Sequence, residues 1–158
     1  MPTLQSGVYY IVSAFDPTTC IDLPSDEASN VRGSVTKQRG NGLVFQQWNV
    51  EATDTDRSMY KISWYGNPVD VLIDSATLPD APKVHTLGWQ PDSQQKYYQQ
   101  WTITDPGNFG YFQIYCPLTD HCVDYFSDDQ TERPVHLKPQ NGSVQQRWMF
   151  QPVNYLEN

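Results

Sequence analysis

Apolar and aromatic residues are concentrated in short segments in which they alternate with polar positions, the pattern of half-buried β-strands. Residues 7–12 and 110–115 are two such segments, rich in aromatic and β-branched side chains and bounded by turn-forming residues. Twelve prolines and nine glycines interrupt the chain every few residues and leave no clean stretch for a long amphipathic helix. The sequence therefore predicts an all-β protein.

The chain contains three copies of one pattern of about 50 residues. Each copy has an aromatic and β-branched opening, then two apolar residues followed by Asp and later by valine, and finally Gln-x-Trp followed by alternating apolar residues. The openings are residues 8–11, 59–62 and 111–114; the Asp elements are 20–22, 72–74 and 122–124, with Val35, Val84 and Val135; the Gln-x-Trp motifs are 46–48, 99–101 and 146–148. The order is the same each time, and the Asp-to-Trp separations are 26, 27 and 24 residues. The chain is therefore a threefold internal repeat.

Each copy predicts about four short strands, and one copy cannot bury its apolar face alone. Three copies around a pseudo-threefold axis can close a barrel and hide its edges. We expect the motif tryptophans to be equivalent pillars of the core, and the motif glutamines to hydrogen-bond to backbone where the strand turns. The tryptophans are Trp48, Trp101 and Trp148, and the glutamines are Gln46, Gln99 and Gln146.

Length and charge narrow the class of protein. The 158 residues predict a single domain, 1–158, with repeats at about 5–53, 54–106 and 107–154. Ten Lys and Arg against 18 Asp and Glu give a net charge of −8, which disfavours nucleic acid and anionic membranes as partners. No apolar run is long enough for membrane insertion, and the N-terminus lacks the pattern of a signal peptide. We therefore expect a cytoplasmic location, with release on tissue damage or by non-classical export.

The three cysteines, Cys20, Cys116 and Cys122, are too few for a disulfide scaffold and wrongly spaced for a zinc site. No metal or cofactor is expected. Cys116 and Cys122 are close enough in sequence to face each other across a hairpin. Both a disulfide and two free thiols remain open for this pair.

Three Gln-x-Trp motifs, each preceded by an apolar-apolar-Asp element, resemble the ricin B-type lectins over about residues 5–154. The opening at residues 7–12 is similar to that of small single-domain mushroom lectins. The resemblance implies a β-trefoil of three pseudo-threefold repeats, each of four short strands. It implies a lectin that binds glycans ending in galactose or N-acetylgalactosamine, without catalysis and without a cofactor, in fungal defence. Several sites per chain, or a homodimer, would raise the effective affinity.

The resemblance also implies a set of sugar-binding residues. In the family an Asp accepts hydrogen bonds from two hydroxyls, a mid-unit polar residue and an amide beside Gln-x-Trp add others, and an aromatic ring stacks on the sugar. The third repeat matches best, with Asp124, His136 and Gln145 at these positions and Asn141 as a further polar candidate.

The other two repeats match in part. Their candidates are Asp74 and His85 in the second repeat, and Asp22, Thr36 and Asn41 in the first. Tyr98 and Phe45 stand where an amide is expected, and Gln38, Leu87 and Lys138 stand where the stacking ring is expected. The rings near enough to substitute are Trp89, Tyr125 and Phe126. Asp also commonly caps turns, and that structural role stays open for the three repeated Asp residues.

A second interpretation is a protease inhibitor on the same fold, which presents one exposed loop to its enzyme. The candidate loops are residues 29–33, where Arg32 would enter a trypsin-like pocket, and residues 129–134, which include Arg133. A lectin needs the three repeated Asp positions and an inhibitor does not, so these positions favour a lectin. A non-enzymatic interaction module is a third interpretation. The sequence has no Gly-x-Ser-x-Gly, His-Glu-x-x-His or glycine-rich phosphate loop, so an enzyme is not expected.

Overall fold

Twelve strands and three short 3₁₀ helices make up the described part of the chain. The structure is a computed structural model that describes residues 4–23, 36–39, 44–54, 56–67, 72–74, 85–87, 94–125 and 135–153. The strands are β1 Gly7–Ser13, β2 Thr19–Asp22, β3 Thr36–Arg39, β4 Trp48–Asp54, β5 Met59–Trp64, β6 Leu72–Asp74, β7 His85–Leu87, β8 Trp101–Thr104, β9 Gln113–Cys116, β10 His121–Asp124, β11 His136–Pro139 and β12 Trp148–Pro152. The 3₁₀ helices are Val44–Gln46, Gln94–Gln99 and Val144–Gln146. All three are far too short to traverse a lipid bilayer.

Six strands close into a barrel. Antiparallel pairs run from β12 to β1, β1 to β4, β4 to β5, β5 to β8 and β8 to β9. An isolated bridge between Phe112, directly before β9, and Trp148 of β12 completes the circle. Each residue of this bridge donates its backbone N–H to the other's carbonyl at 2.8 Å. Closure removes the exposed strand edges that an open sheet would present.

The other six strands form three hairpins, β2–β3, β6–β7 and β10–β11. The first strand of each hairpin pairs with the first barrel strand of its own repeat, at β1, β5 and β9. The pairing residues are equivalent: Val12 with Cys20, Ser63 with Leu72, and Tyr115 with Cys122. This is the β-trefoil that the repeats predict, and the all-β prediction is confirmed. The division into one domain with the stated boundaries stays a prediction.

The motif tryptophans join the barrel to the hairpins. All three side chains are fully buried. Each indole Nε1 donates to the carbonyl of the residue directly before the repeated Asp. The bonds run from Trp48 to Ile21 at 3.0 Å, from Trp101 to Ile73 at 3.2 Å and from Trp148 to Val123 at 3.1 Å. The predicted core pillars are confirmed, and each one also fixes the position of its Asp.

Trp64, which lies outside the repeat pattern, packs on the surface of the first repeat. Its ring stacks on Phe45 with a centroid distance of 5.7 Å, and its Nε1 donates to the Val44 carbonyl at 2.9 Å. A Cβ at Gly66 would lie 2.4 Å from the ring, so this close approach requires glycine. The indole of Trp64 therefore has a structural role, packing against the first repeat.

All three cysteines are buried free thiols. Cys116 of β9 pairs in register with His121 of β10, and Cys122 of β10 pairs with Tyr115 of β9. The two thiols therefore do not lie opposite each other on these strands. Burial raises the pKa of Cys20 to about 12, with a smaller contribution from the Asp22 carboxylate. Burial also raises the pKa of Cys122 to about 12. The alternative of two free thiols is the one that the structure contains.

We expect Trp148→Ala to lower the free energy of unfolding by about 3–5 kcal/mol, because it removes a fully buried ring and leaves the Val123 carbonyl unpaired. Urea unfolding monitored by circular dichroism measures the loss. Phe109→Ala is the matched control, since that ring is 79% exposed, and its loss should stay below about 0.5 kcal/mol. Equal unfolding midpoints for Trp148→Ala and the parent would contradict the pillar assignment.

We expect Cys20 and Cys122 to be inert toward 5,5′-dithiobis(2-nitrobenzoate) at pH 8 in the folded protein, because a thiol with a pKa of about 12 is protonated there. Both should react in urea, where the pKa returns toward 9.0. Because the folded-state pKa is the higher one, protonation favours folding below pH 9. That contribution is lost as the pH rises toward 12. Rapid native labelling of Cys20 or Cys122, identified by mass spectrometry, would contradict the burial.

Candidate functional site

The hairpins bring the sequence-predicted pairs together. In each hairpin the repeated Asp is the last residue of the first strand, and the mid-unit polar residue is the first residue of the second strand. The two are direct partners in the antiparallel register: Asp22 with Thr36, Asp74 with His85, and Asp124 with His136. The Asp and its polar partner are therefore neighbours on adjacent strands in all three repeats. The side chains of Thr36, Asp74 and His85 lie outside the described part of the chain.

In the third repeat the carboxylate of Asp124 is held by the motif glutamine. Asp124 is 4% exposed, and its Oδ2 accepts a hydrogen bond from Gln146 Nε2 at 3.2 Å. The same Nε2 donates to the Pro139 carbonyl at 2.9 Å, and Gln146 Oε1 accepts from the Asn141 backbone N–H at 3.0 Å. Gln146 thus fixes both the carboxylate and the loop after β11. Its bonds to backbone confirm the predicted role of the motif glutamine.

The loop at residues 140–143 carries Asn141 at the surface. The Asn141 side chain is exposed, and its Oδ1 accepts the Ser143 backbone N–H at 2.9 Å, which forms a tight local turn. Gly142 follows with φ of 71°, a conformation that favours glycine. Gln145 is half-buried, and its carbonyl accepts the Tyr125 N–H at 2.9 Å. The segment that follows the loop is therefore tied to the end of β10 through the Gln145 carbonyl and the Gln146 side chain.

His136 completes the third-repeat group and is 7% exposed. Its position opposite Asp124 places an imidazole and a carboxylate at the loop end of the β10–β11 hairpin. The residues brought together are thus Asp124, His136, Gln146 and the loop with Asn141 and Gln145. Neutral sugar hydroxyls require such a mixture of acceptors and donors.

Tyr125 does not provide a stacking ring, and that prediction is wrong. Its side chain is 5% exposed and belongs to the hydrophobic core. The ring contacts Phe15 with a centroid distance of 5.0 Å, and the hydroxyl donates to Asp16 Oδ2 at 3.3 Å. Both partners come from the first repeat, so Tyr125 fills the seam between two repeats. The other substitute rings, Trp89 and Phe126, lie outside the described residues.

The first repeat keeps the backbone arrangement and has an aromatic residue at the position of the amide. Asp22 is 8% exposed at the end of β2. The Leu23 N–H donates to the Phe45 carbonyl at 2.9 Å, as Tyr125 does to Gln145. Phe45 occupies the amide position and packs on Trp64. The Thr36 side chain and Asn41 of this repeat lie outside the described ranges, as do Arg32 and Arg133.

Sequence reasoning missed the bond from Gln146 to the Asp124 carboxylate. The motif glutamine was expected to contact only backbone. The signal was present, because a glutamine and an Asp recur with nearly constant separation in all three repeats. Within the ranges that the structure describes, no group of three His, Cys, Asp or Glu side chains is arranged to hold a metal ion.

No protein-family model and no curated protein sequence matches the chain. Solved structures do match. A mosquitocidal holotoxin aligns with a TM-score of 0.79 and 22% identity over 97% of this chain, which spans only 18% of the toxin's length. A designed threefold-symmetric protein, ThreeFoil, aligns with a TM-score of 0.77 and 17% identity over 93% of this chain and 99% of its own.

The ricin B-like lectin of Macrolepiota procera, solved with lactose, aligns with a TM-score of 0.70 and 19% identity over 96% of this chain and 100% of its own. The chain is thus similar in fold to a ricin B-like mushroom lectin, as the repeats predict. At identities below 25% the likeness shows the fold. Because the chain spans so little of the holotoxin, it corresponds to one part of that larger protein.

We expect Gln146→Leu to destabilise the protein by about 1–3 kcal/mol, because it leaves the buried Asp124 carboxylate and the Pro139 carbonyl without this donor. Urea unfolding measures the effect. Gln151→Leu is the matched control, since Gln151 is an exposed residue of β12 and its replacement should change stability by less than about 0.5 kcal/mol. Equal losses for the two variants would refute the bridging role of Gln146.

Proposed function

We propose that this protein is a lectin that binds glycans through the hairpin of its third repeat, with Asp124 as the principal acceptor. The observation that carries the proposal is the carboxylate of Asp124, oriented by Gln146 at 3.2 Å and placed opposite His136. The likeness in fold to a lectin solved with lactose supports the same class of ligand.

The chemistry of the site suits a neutral sugar. Two adjacent hydroxyls donate to the Asp124 carboxylate, while the imidazole of His136 and the amides of Asn141 and Gln145 provide further donors and acceptors. The specificity proposed is for terminal galactose or N-acetylgalactosamine, and it rests on the resemblance to ricin B-type lectins. A single sugar in a shallow wet site binds at about millimolar strength, or about 4 kcal/mol.

Useful affinity then depends on more than one contact with the same glycan. The repeated register of Asp and polar partner supports sites in the other repeats, and a homodimer would double the number presented. A role in fungal defence, through glycans of animals that feed on the fungus, follows from the resemblance. We propose no catalytic step. No described residue favours the protease-inhibitor interpretation over the lectin.

The first experiment is a glycan array with the labelled protein. Signals on glycans that end in galactose or N-acetylgalactosamine support the proposal, and the linkage preference defines the specificity. If the array shows no binding while the protein inhibits trypsin or papain, the lectin proposal fails and the inhibitor replaces it.

We expect Asp124→Asn to weaken galactose binding at least tenfold. The amide oxygen can still accept the hydrogen bond from Gln146, but the amide nitrogen cannot accept one from a sugar hydroxyl, as the second carboxylate oxygen does. Isothermal titration calorimetry measures the affinity. Asp120→Asn is the matched control, an exposed carboxylate just before the same strand, and it should bind as the parent does.

Thermal unfolding of both variants shows that the fold is retained. Unchanged galactose affinity in a folded Asp124→Asn protein would move the site away from the third repeat. Asp22→Asn and Asp74→Asn then show whether the first or second repeat binds.

A further inference from the structure

A second concave surface lies beside the third repeat and contains none of the residues assigned to the hairpin site. It is a cleft of about 390 Å³ between the β8–β9 turn, the 3₁₀ helix before β12 and the end of β1. Its lining residues are Ala14, Asp105, Gly107, Phe109, Tyr111, Val144 and Arg147. The volume is within the range of small-molecule sites.

The β8–β9 turn is built to hold an aromatic ring in solvent. Phe109 is 79% exposed at the rim of the cleft. Asp105 Oδ2 accepts the Gly110 N–H at 2.6 Å, and the Asp105 carbonyl accepts the Asn108 N–H at 3.2 Å. Asn108 and Gly110 on either side of Phe109 have φ of 56° and 83°, so two left-handed residues are needed to present the ring.

The ring also lies against the backbone of its own turn. A Cβ at Gly107 would meet the Phe109 ring at 2.6 Å, so the absence of a side chain at Gly107 leaves space for the ring. Tyr111 and Val144, each close to half exposed, extend the same apolar surface. Three exposed apolar side chains are thus gathered at one concave surface.

Two charged groups with unused bonding capacity line this cleft. Asp105 is 5% exposed, and its Oδ1 has no hydrogen-bond partner among the described residues. A buried carboxylate oxygen without a partner is destabilising, so a ligand hydroxyl there gains a strong hydrogen bond. Arg147 makes no ion pair within the described part of the chain, and its Nη1 lies 3.5 Å from Gln113 Oε1.

The pseudo-threefold relation supplies an internal comparison. A related cleft of about 520 Å³ lies at the β4–β5 turn and is lined by Asp54, Arg57, Tyr97 and Leu118, among others. There Arg57 Nε and Asp54 Oδ2 lie 3.6 Å apart and form an ion pair with each other. The position of Arg147 in the motif is occupied by Gln47 and Gln100 in the other repeats. Of these two clefts, as far as the described residues show, only the Phe109 cleft has an arginine and a carboxylate that are not paired with each other.

We propose that the Phe109 cleft is a second carbohydrate subsite, which takes an inner sugar of a glycan whose terminal sugar occupies the Asp124 hairpin. A sugar ring stacks its C–H face on Phe109, donates a hydroxyl to Asp105 Oδ1 and accepts a hydrogen bond from Arg147. Because Oδ1 is covered by neighbouring atoms, the Phe109 turn moves slightly to admit the hydroxyl. The subsite rests on the proposed lectin function.

The two subsites share one short segment of chain. Gln146 binds Asp124, whereas its neighbour Arg147 and Val144 line the cleft. The ligand proposed is a glycan of several sugars that lies across residues 144–147 and contacts both. This arrangement favours an oligosaccharide over a single sugar, and a mixed carboxylate and guanidinium lining favours a neutral glycan over a charged one.

The test is a titration of ¹⁵N-labelled protein with galactose, and separately with a neutral tetrasaccharide that ends in galactose. Galactose should shift the amide signals of Asp124 and Gly142 and leave those of Gly107 and Gly110 unchanged. The tetrasaccharide should shift these and also Gly107 and Gly110, with an affinity about tenfold higher than that of galactose. Shifts confined to Asp124 and Gly142 with both sugars would overturn the subsite and leave the proposed function standing.

Variants separate the contributions of the ring and the guanidinium. Phe109→Ala should reduce the tetrasaccharide affinity about tenfold, to that of galactose. Arg147→Gln, which installs the residue found at the equivalent positions, should reduce it about threefold or more. Leu118→Ala, an exposed apolar residue of the related cleft, is the matched control and should bind as the parent does. Thermal unfolding checks that each variant is folded.

Two further outcomes also decide the matter. If neither sugar shifts any signal, the proposed function itself fails. If the Gly107 and Gly110 signals broaden with protein concentration in the absence of sugar, and Phe109→Ala abolishes the broadening, the cleft is a contact between two copies of the chain and the subsite is wrong.

Discussion

The hydrogen bond from each motif indole to the carbonyl before the repeated Asp is the interaction on which the rest of the structure depends. Trp48, Trp101 and Trp148 fill the barrel with apolar surface, and each has one polar atom that needs a partner when buried. That partner is a carbonyl of the hairpin in the same repeat. One side chain therefore provides core volume and fixes the hairpin against the barrel.

The same bond explains why an Asp stands at the same point of each hairpin. The carbonyl that accepts the indole belongs to the residue before Asp, so the Asp emerges from the core at a fixed point. In the third repeat Gln146, two residues before Trp148, then holds the carboxylate. Core packing and the position of the Asp124 carboxylate are coupled through two residues of one motif, Gln146 and Trp148. A change in the tryptophan is consequently expected to disturb binding as well as stability.

Departures from threefold symmetry distinguish one repeat from another. Tyr9 and Tyr60 occupy equivalent positions opposite their motif tryptophans, and each hydroxyl donates at 2.6 Å to a carbonyl of the N-terminal segment. Phe112, at the third position, has no hydroxyl and packs edge-on against Phe150 instead. Arg147 replaces glutamine in the third motif alone. The shared backbone fixes where such differences occur, and the individual side chains give each repeat its chemistry.

The sequence by itself determined the threefold all-β fold, because that fold follows from the order and spacing of the repeats. It placed Asp124 and His136 in one candidate site through the resemblance to ricin B-type lectins, and the structure showed that the two residues are direct register partners. Only the tertiary structure decided the burial of Tyr125, whose hydroxyl bonds to a residue 109 positions away in another repeat. The same holds for the Phe109 cleft, which joins Ala14, Asp105 and Arg147 from distant parts of the chain. A local pattern reports which face of a strand is buried, whereas contacts between repeats depend on how three units close around a common axis.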